Sequence, residues 1–314
     1  MGFTDDVRDE LAHTPLGGEC CRRAETSAMV RLGGWLHLTE AGPGWVVTLT
    51  SGAATRRLHA ALTQLLGSRP QVQVHQPTAL RAGSYRVSLA RPILPALAWL
   101  GVMSRDGQPV DAVPAQLVAT AHDSSAYLRG CLMVAASLSD PRSAPHLELR
   151  APGQGTAGGL RRLLVRCGGR GARAAQRSDG WRVHCKSGEA IGAVLARAGA
   201  HHAFLAWDAE RLRRELRGNA NRAANADRAN LGRAVTASTR QVAMIEAVVA
   251  AQGWHRLPSG LRTTALARLA NPQASLAELG ALHDPPVAKA TVHRRLVQLA
   301  AFVEGLGRPG GRLE

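Results

Sequence analysis

Residues 289–298 read KATVHRRLVQ and hold six side chains able to hydrogen-bond a polyanion: Lys289, Thr291, His293, Arg294, Arg295 and Gln298. A helix in a major groove needs donors and acceptors toward its N-terminal half and cations for the flanking phosphates. Thr291 and His293 suit base edges, and Arg294 and Arg295 suit either base or phosphate. An ordinary solvated basic face has the same composition, so the neighbouring elements must decide. Two short helices are expected upstream, LRTTALARLA and SLAELGALH, the first with Leu261, Leu266 and Leu269 inward. Ser275 and Glu278 have capping-box spacing, and Pro285-Pro286 forbids helix continuation. The third helix turns Val292, Leu296, Leu299 and Val303 inward on one stripe. This is helix-turn-helix order, and in that setting the polar face reads as a DNA-contacting surface. Residues 211–240 add eight Arg against Glu215 and Asp227, with Arg214, Arg217 and Arg222 as further candidates for phosphate contact. The competing reading there is a solvated helix whose Asn219, Asn221, Asn225 and Asn230 cap and turn the chain.

Metal chemistry is not expected. The five cysteines, Cys20, Cys21, Cys131, Cys167 and Cys185, form no CxxC pair. Adjacent Cys20 and Cys21 do not easily grip one tetrahedral ion together, and His201-His202 lacks helical ligand spacing. An odd number of cysteines reads as reduced, mostly buried thiols.

The bulk composition limits the partners. The 314-residue chain has 45% hydrophobic residues but only 4% aromatics, so its core must come from Ala, Leu and Val. Formal net charge is +16, which favours nucleic acid or a membrane surface as partner. Only Lys186 and Lys289 are lysines, a sign of GC-rich coding, yet the excess of cations stands regardless. No apolar run reaches the roughly 18 residues of a membrane span. The opening MGFTDDVRDEL is too acidic and polar for a signal peptide. A cytoplasmic, nucleoid-associated protein is expected, with no membrane and no small-molecule substrate.

The elements that position these residues fall into a repeat. CRRAETSAMVRLGG reads as a helix with Ala28, Val30 and Leu32 apolar, followed by two strands around Gly-Pro-Gly in WLHLTEAGPGWVVTLT. AATRRLHAALTQLLG is helical, with Leu58, Leu62, Leu65 and Leu66 on one stripe. VQVHQ and SYRVSLA alternate as strands, and RPILPALAWLGVM closes the unit as a proline-opened helix. From residue 124 the pattern recurs: SAYLRGCLMVAAS, PHLELRA, AGGLRRLLVRCGG, ARAAQR with GWRVHCKSG, and EAIGAVLARAGA. A duplicated αββαββα unit accounts for both halves.

That duplication, with a small-residue helix opening each half, resembles the LAGLIDADG homing endonuclease fold. The resemblance implies two central helices packed closely, each ending in an acid that holds catalytic Mg²⁺. Here those acid positions fall on Gly33 and Ala135, which cannot ligate a metal. Asp140 and Glu40 lie a few residues beyond, where strand geometry carries them away. Four blocks in order, CCRRAETSAMVRLGG, YLRGCLMVAASLSDP, LAWD…RRELRGNANRAANADRANLGRA and QASLAELGALHDPP, are similar to the WhiA family of bacterial regulators. Ala136 and Trp35 depart from that family's usual residues. The fold class expected is α+β: a duplicated LAGLIDADG-like N-terminal domain, then an all-α helix-turn-helix domain. Expected boundaries are 1–115 and 116–205 for the repeats, 206–240 for a basic linker helix and 241–314 for the helix-turn-helix domain, its motif at about 274–307. The resemblance implies a non-cleaving, sequence-specific transcription regulator of cell division, chromosome segregation and, in actinobacteria, sporulation genes. Its implied partners are promoter double-stranded DNA and a WhiB-like iron–sulfur protein. Two other readings compete: a scaffold using its basic surface for protein or RNA, and a residual endonuclease.

Overall fold

The computed structural model describes residues 2–40, 42–67, 69–77, 83–89 and 91–306. The chain divides into two compact units, Met1–Glu215 and Leu216–Glu314.

The first unit opens with α1 (Phe3–His13), which the sequence reading had left unassigned. The first repeat follows as α2 (Glu19–Gly33), β1 (Gly34–Thr39), β2 (Gly42–Leu49), α3 (Gly52–Leu66), β3 (Gln71–His75), β4 (Ser84–Ser88) and α4 (Ile93–Trp99). The second is α5 (Ala121–Ala135), β5 (Ala136–Leu138), β6 (Leu147–Ala151), α6 (Gln154–Arg166), β7 (Arg173–Arg177), β8 (Gly180–Cys185) and α7 (Gly188–Ala198). Each repeat makes a four-stranded antiparallel sheet in the same order, β1-β2-β4-β3 and β5-β6-β8-β7. The α+β class and the duplicated unit are therefore as the sequence implies.

Two local expectations change. Gly42-Pro43-Gly44 is not the hairpin turn but the start of β2, where Gly42 pairs with Thr39 and Gly44 with His37. Pro43 lies outside the Val46–Leu49 stretch that pairs with β4, so it takes no donor from that ladder. Ala136 and Ser137 leave the helix and begin β5, with Ala136 opposite Leu149.

The repeats do not build separate interiors. One core runs from Val7 and Leu11 through Val30, Leu58 and Leu132 to Leu195 and Trp207. Small side chains let the repeats share it. Helices α2 and α5 cross where Gly130 meets Ala28, and a Cβ on Gly130 would lie 2.5 Å from the Glu25 carbonyl and 2.8 Å from the Ala28 Cβ. Ala28 and Gly130 occupy equivalent positions in the two repeats. The crossing therefore sits on the internal pseudo-twofold, and small side chains are needed from both halves at once.

Helix α8 (His201–Gln252) begins in the first unit. Glu10 accepts from the backbone N–H groups of His202 and Ala203 at 2.7 and 2.9 Å, capping its start. Trp207 is buried, stacks on Phe3 at 5.8 Å, and donates through Nε1 to the Gly188 carbonyl at 2.8 Å. The expected linker 206–240 is thus part of one long helix whose first turns belong to the first core.

The second unit holds the rest of α8, then α9 (Ser259–Ala270), α10 (Leu276–Ala281) and α11 (Lys289–Leu306). Its core is Ile245, Val248, Leu257, Leu261, Ala265, Leu279, Val292, Leu296 and Leu299. The side chain of Val303 lies outside the described residues. The Ser275–Glu278 capping box forms, with Ser275 Oγ accepting from the Glu278 N–H at 3.2 Å and Glu278 Oε2 accepting from the Ser275 N–H at 2.7 Å. Leu266 is a correction: it is half exposed, at 50%, and α9 buries Leu261, Thr264, Ala265 and Arg268 instead. Positions 261, 264, 265 and 268 share a face, and residue 266 lies about 140° from 261 at 3.6 residues per turn.

Candidate nucleic-acid interface

Helix α11 is held by buried polar groups as well as by its apolar stripe. Arg268 donates to the Ala274 carbonyl at 2.6 Å and fixes the α9–α10 loop. The buried His283 ring bridges the Leu279 carbonyl, at 2.8 Å, and Thr264 Oγ1, at 2.9 Å, and so ties the turn before α11 to α9. Val287 donates to the Gly280 carbonyl at 2.9 Å, closing that turn.

With Val292, Leu296 and Leu299 inward, the outward arc of α11 centres on Ala290, Arg294 and Val297. His293 flanks one side and Thr291 and Gln298 the other, whereas Lys289, seven residues before Leu296, projects beside the inward stripe at the first residue of the helix. Lys289, His293, Arg294 and Gln298 are exposed, and Thr291 is half-buried. Arg295 stands apart. It is half-buried, its Nη1 lies 3.4 Å from Thr264 Oγ1, and its guanidinium packs over Gly260. His293, Arg294 and Gln298 thus line the solvent-facing arc with Thr291 at its border, Lys289 is exposed at the helix start, and Arg295 turns back toward α9.

The arginines of α8 divide in the same way. Arg217 and Arg222 are exposed, Arg222 being held by Asn219 Oδ1. Arg214 is half-buried and donates to the Pro141 carbonyl within the first unit.

The strand register gives each sheet in the first unit one helix-covered face and one open face. In the first sheet Val47, Leu49 and Val87 point to the core. The opposite face carries Trp35, His37, Thr48, Arg86, Gln73 and His75. Arg86 lies over the Trp35 ring at 5.9 Å, and Trp35 Nε1 is 3.3 Å from Thr48 Oγ1. In the second sheet Leu147, Leu149, Val183 and Cys185 face the core. Arg150, Arg173, Arg177, Arg182 and His184 share the other face with Glu148. Burial, followed by Lys186 and His146, holds the His184 imidazole below its ordinary pKa. Arg182 is buried and paired with Glu148 at 3.3 Å and with Asp179, so Arg150, Arg173 and Arg177 are the cations left exposed. Arg173 and Arg177 escaped the sequence reading. Their signal is the two-residue period of RAAQR set against its partner strand.

The motif ends of α2 and α5 hold no carboxylate. A Cβ on Gly33 would lie 2.5 Å from Val134 Cγ1 and 3.1 Å from Val47 Cγ1, and Ala135 is buried. The space an acid would occupy is filled with hydrocarbon. Asp140 belongs to a turn in which its Oδ1 accepts from the Arg142 N–H at 2.8 Å, and Glu40 is exposed. The buried charge near the crossing is structural. Glu25 pairs with Arg57 (Nη2–Oε2, 2.9 Å) and with Arg129 (Nε–Oε2, 2.7 Å), linking α2, α3 and α5.

Comparison with known proteins agrees with this architecture. The family model "WhiA N-terminal LAGLIDADG-like domain" matches residues 19–102, "WhiA LAGLIDADG-like domain" residues 124–217, and "WhiA C-terminal HTH domain" residues 220–303. A "Probable cell division protein WhiA" of Acidothermus cellulolyticus is 37% identical, over 99% of this chain and 97% of that protein. The protein of the same description from Streptomyces griseus is also 37% identical, over 99% and 95%. The crystal structure of full-length DUF199/WhiA from Thermatoga maritima superposes with a TM-score of 0.57 at 23% identity, covering 98% of this chain and all of that one. At that identity the likeness shows the fold. With three models laid end to end and full-length relatives more than a third identical, the chain belongs to the WhiA family.

Proposed function

We propose that this chain is a sequence-specific, non-cleaving regulator that binds double-stranded DNA at promoters, including those of cell division genes. The observation that carries the reading is the outward arc of α11. It holds His293, Arg294 and Gln298, with Thr291 at its border, on the outward side of a helix anchored by Val292, Leu296 and Leu299, and Lys289 is exposed at the first residue. Arg294 stands at the middle of that arc and is the side chain best placed to pair with a guanine in the major groove. The open face of the second sheet adds the exposed Arg150, Arg173 and Arg177 for phosphate. Hydrocarbon at Gly33 and buried Ala135 supports binding without strand cleavage, since in-line attack on phosphate needs carboxylates to hold Mg²⁺.

The test is capture of genomic fragments by the full-length chain in Mg²⁺, with fragment positions and ends sequenced. Discrete promoter-proximal peaks with intact ends are expected. Arg294→Ala should then weaken binding to the recovered site by about 1–3 kcal/mol. Cut ends at the peaks would overturn the non-cleaving reading. No enrichment, together with affinity indifferent to salt, would overturn DNA recognition in favour of a protein-docking surface.

A further inference from the structure

We propose that Cys20, Cys21, His122 and Asp123 form a Zn²⁺ site that clamps the first turns of α2 and α5 together. One ligand atom from each of the four lies within 4.8 Å of all the others. Cys21 Sγ is 3.3 Å from His122 Nδ1, Cys20 Sγ is 3.9 Å from the same nitrogen, and His122 Nδ1 is 3.1 Å from Asp123 Oδ1. In a tetrahedral zinc site with bonds of about 2.0–2.3 Å, ligand atoms stand roughly 3.3–3.8 Å apart. The three distances to His122 Nδ1 bracket that spacing, and a small contraction of the set would complete it.

Adjacency in sequence argued against Cys20 and Cys21 as joint ligands. The fold meets the objection: both Sγ atoms lie within 4.8 Å of each other and of the ligand atoms that α5 supplies. His122 follows Cys20 by 102 residues, the same offset that relates Gly33 to Ala135, and Asp123 follows Cys21 likewise. The same pair of positions in each repeat therefore meets its counterpart across the pseudo-twofold.

The carboxylate supplies an independent observation. Asp123 is 6% exposed, and its buried Oδ1 has the His122 imidazole nitrogen 3.1 Å away. Its other oxygen accepts from Thr120 Oγ1 at 2.7 Å, which orients the group and leaves Oδ1 turned to the thiols and the imidazole. A buried carboxylate oxygen is costly unless donors or a cation meet it. A cation there would meet it. Two thiols and an imidazole select a borderline-soft ion over Mg²⁺ or Ca²⁺. On binding, the two thiols lose their protons to solvent and Zn²⁺ gains two thiolates, a neutral imidazole and a carboxylate. The net charge of −1 that results lies at the positive ends of two helices.

The experiment uses the full-length reduced protein. Elemental analysis should find one zinc per chain. Co²⁺ in its place should give a thiolate-to-metal absorption band, and Cys20→Ser should reduce that band by roughly half, because one of two thiolates is lost. Chelator should lower the melting temperature of the wild type and leave that of a Cys20→Ser/His122→Ala variant unchanged. Cys20 and His122 are exposed, so both variants should keep the core, which an unchanged circular-dichroism spectrum would check. Less than stoichiometric metal in the wild type, or a Co²⁺ band undiminished in the double variant, would overturn the site. A Cys20–Cys21 disulfide that persists in reductant would overturn it too.

Discussion

At Glu25 the chain uses buried charge to tie helices together. The residue is buried near the helix crossing and holds Arg57 and Arg129. Two guanidinium groups on one carboxylate leave both dependent on it, and a buried charge stripped of its partner costs several kcal/mol. Glu25→Gln keeps the shape and removes the charge. We expect it to lower unfolding free energy by about 3–5 kcal/mol in urea denaturation. Asp111 is a milder case at the surface. Desolvation acts to raise its pKa, but the N–H groups of Thr156 and Gly155, each 2.8 Å from a carboxylate oxygen, hold it below the usual range. A folded pKa below the unfolded one gives stability that is complete above the unfolded value, near ~3.9, and is lost as pH falls through the folded value. Asp111→Ala should therefore destabilise by about 0.5–2 kcal/mol at pH 7, as loss of a helix N-terminal acceptor does. The gap from wild type should close in melts run progressively below pH 4.

Among the elements, α9 separates a correct helix from an incorrect face. LRTTALARLA reads as helical, and it is, but three leucines do not define its inward side. The inward face is set by what packs there: Arg268 reaches carbonyls of the α9–α10 loop and Thr264 meets His283, so polar residues take places that a hydrophobic pattern assigns to leucine. Leu261→Ala should cost about 2–5 kcal/mol, whereas Leu266→Ala should stay within about 0.5 kcal/mol of wild type. Equal losses would restore the stripe read from sequence. The same reasoning marks what was legible. Strands β4, β6 and β8 and helices α3, α6 and α7 announce themselves by periodicity, and the capping box announces α10. The short β5 does not, because Ala136 and Ser137 read as well in a helix as in a strand until Leu149 pairs with the chain. At the candidate interface the residue types of α11 were legible, and the outward turn of His293 and Arg294 followed from the stripe, whereas Lys289 is exposed because it is the first residue of the helix. The turn of Arg295 toward Thr264 did not, since it depends on α9. The gathering of His122 and Asp123 with Cys20 and Cys21 lay hidden behind a hundred residues of intervening chain.

For the molecule as a whole, the question is how a net charge of +16 is spent. A uniformly solvated excess would strengthen all polyanion binding without direction. The register concentrates part of it instead: Arg150, Arg173 and Arg177 emerge from one open sheet face, where Arg182 is already neutralised by Glu148 and Asp179. The helix-turn-helix unit carries its own cations on α11. On the proposed reading one chain carries both surfaces, so phosphate contacts made by the first would raise the effective concentration of the second at its site. Each phosphate neutralised in duplex DNA steepens the dependence of log affinity on log salt by about 0.9. Replacing Arg150 and Arg177 by alanine in the full chain should make that slope shallower by roughly 1–2 while leaving the preferred sequence unchanged. Arg294→Ala should do the reverse, relaxing sequence preference more than it alters the slope. A slope untouched by loss of Arg150 and Arg177 would confine DNA contact to the second unit, leaving the duplicated domain to act through something other than phosphate.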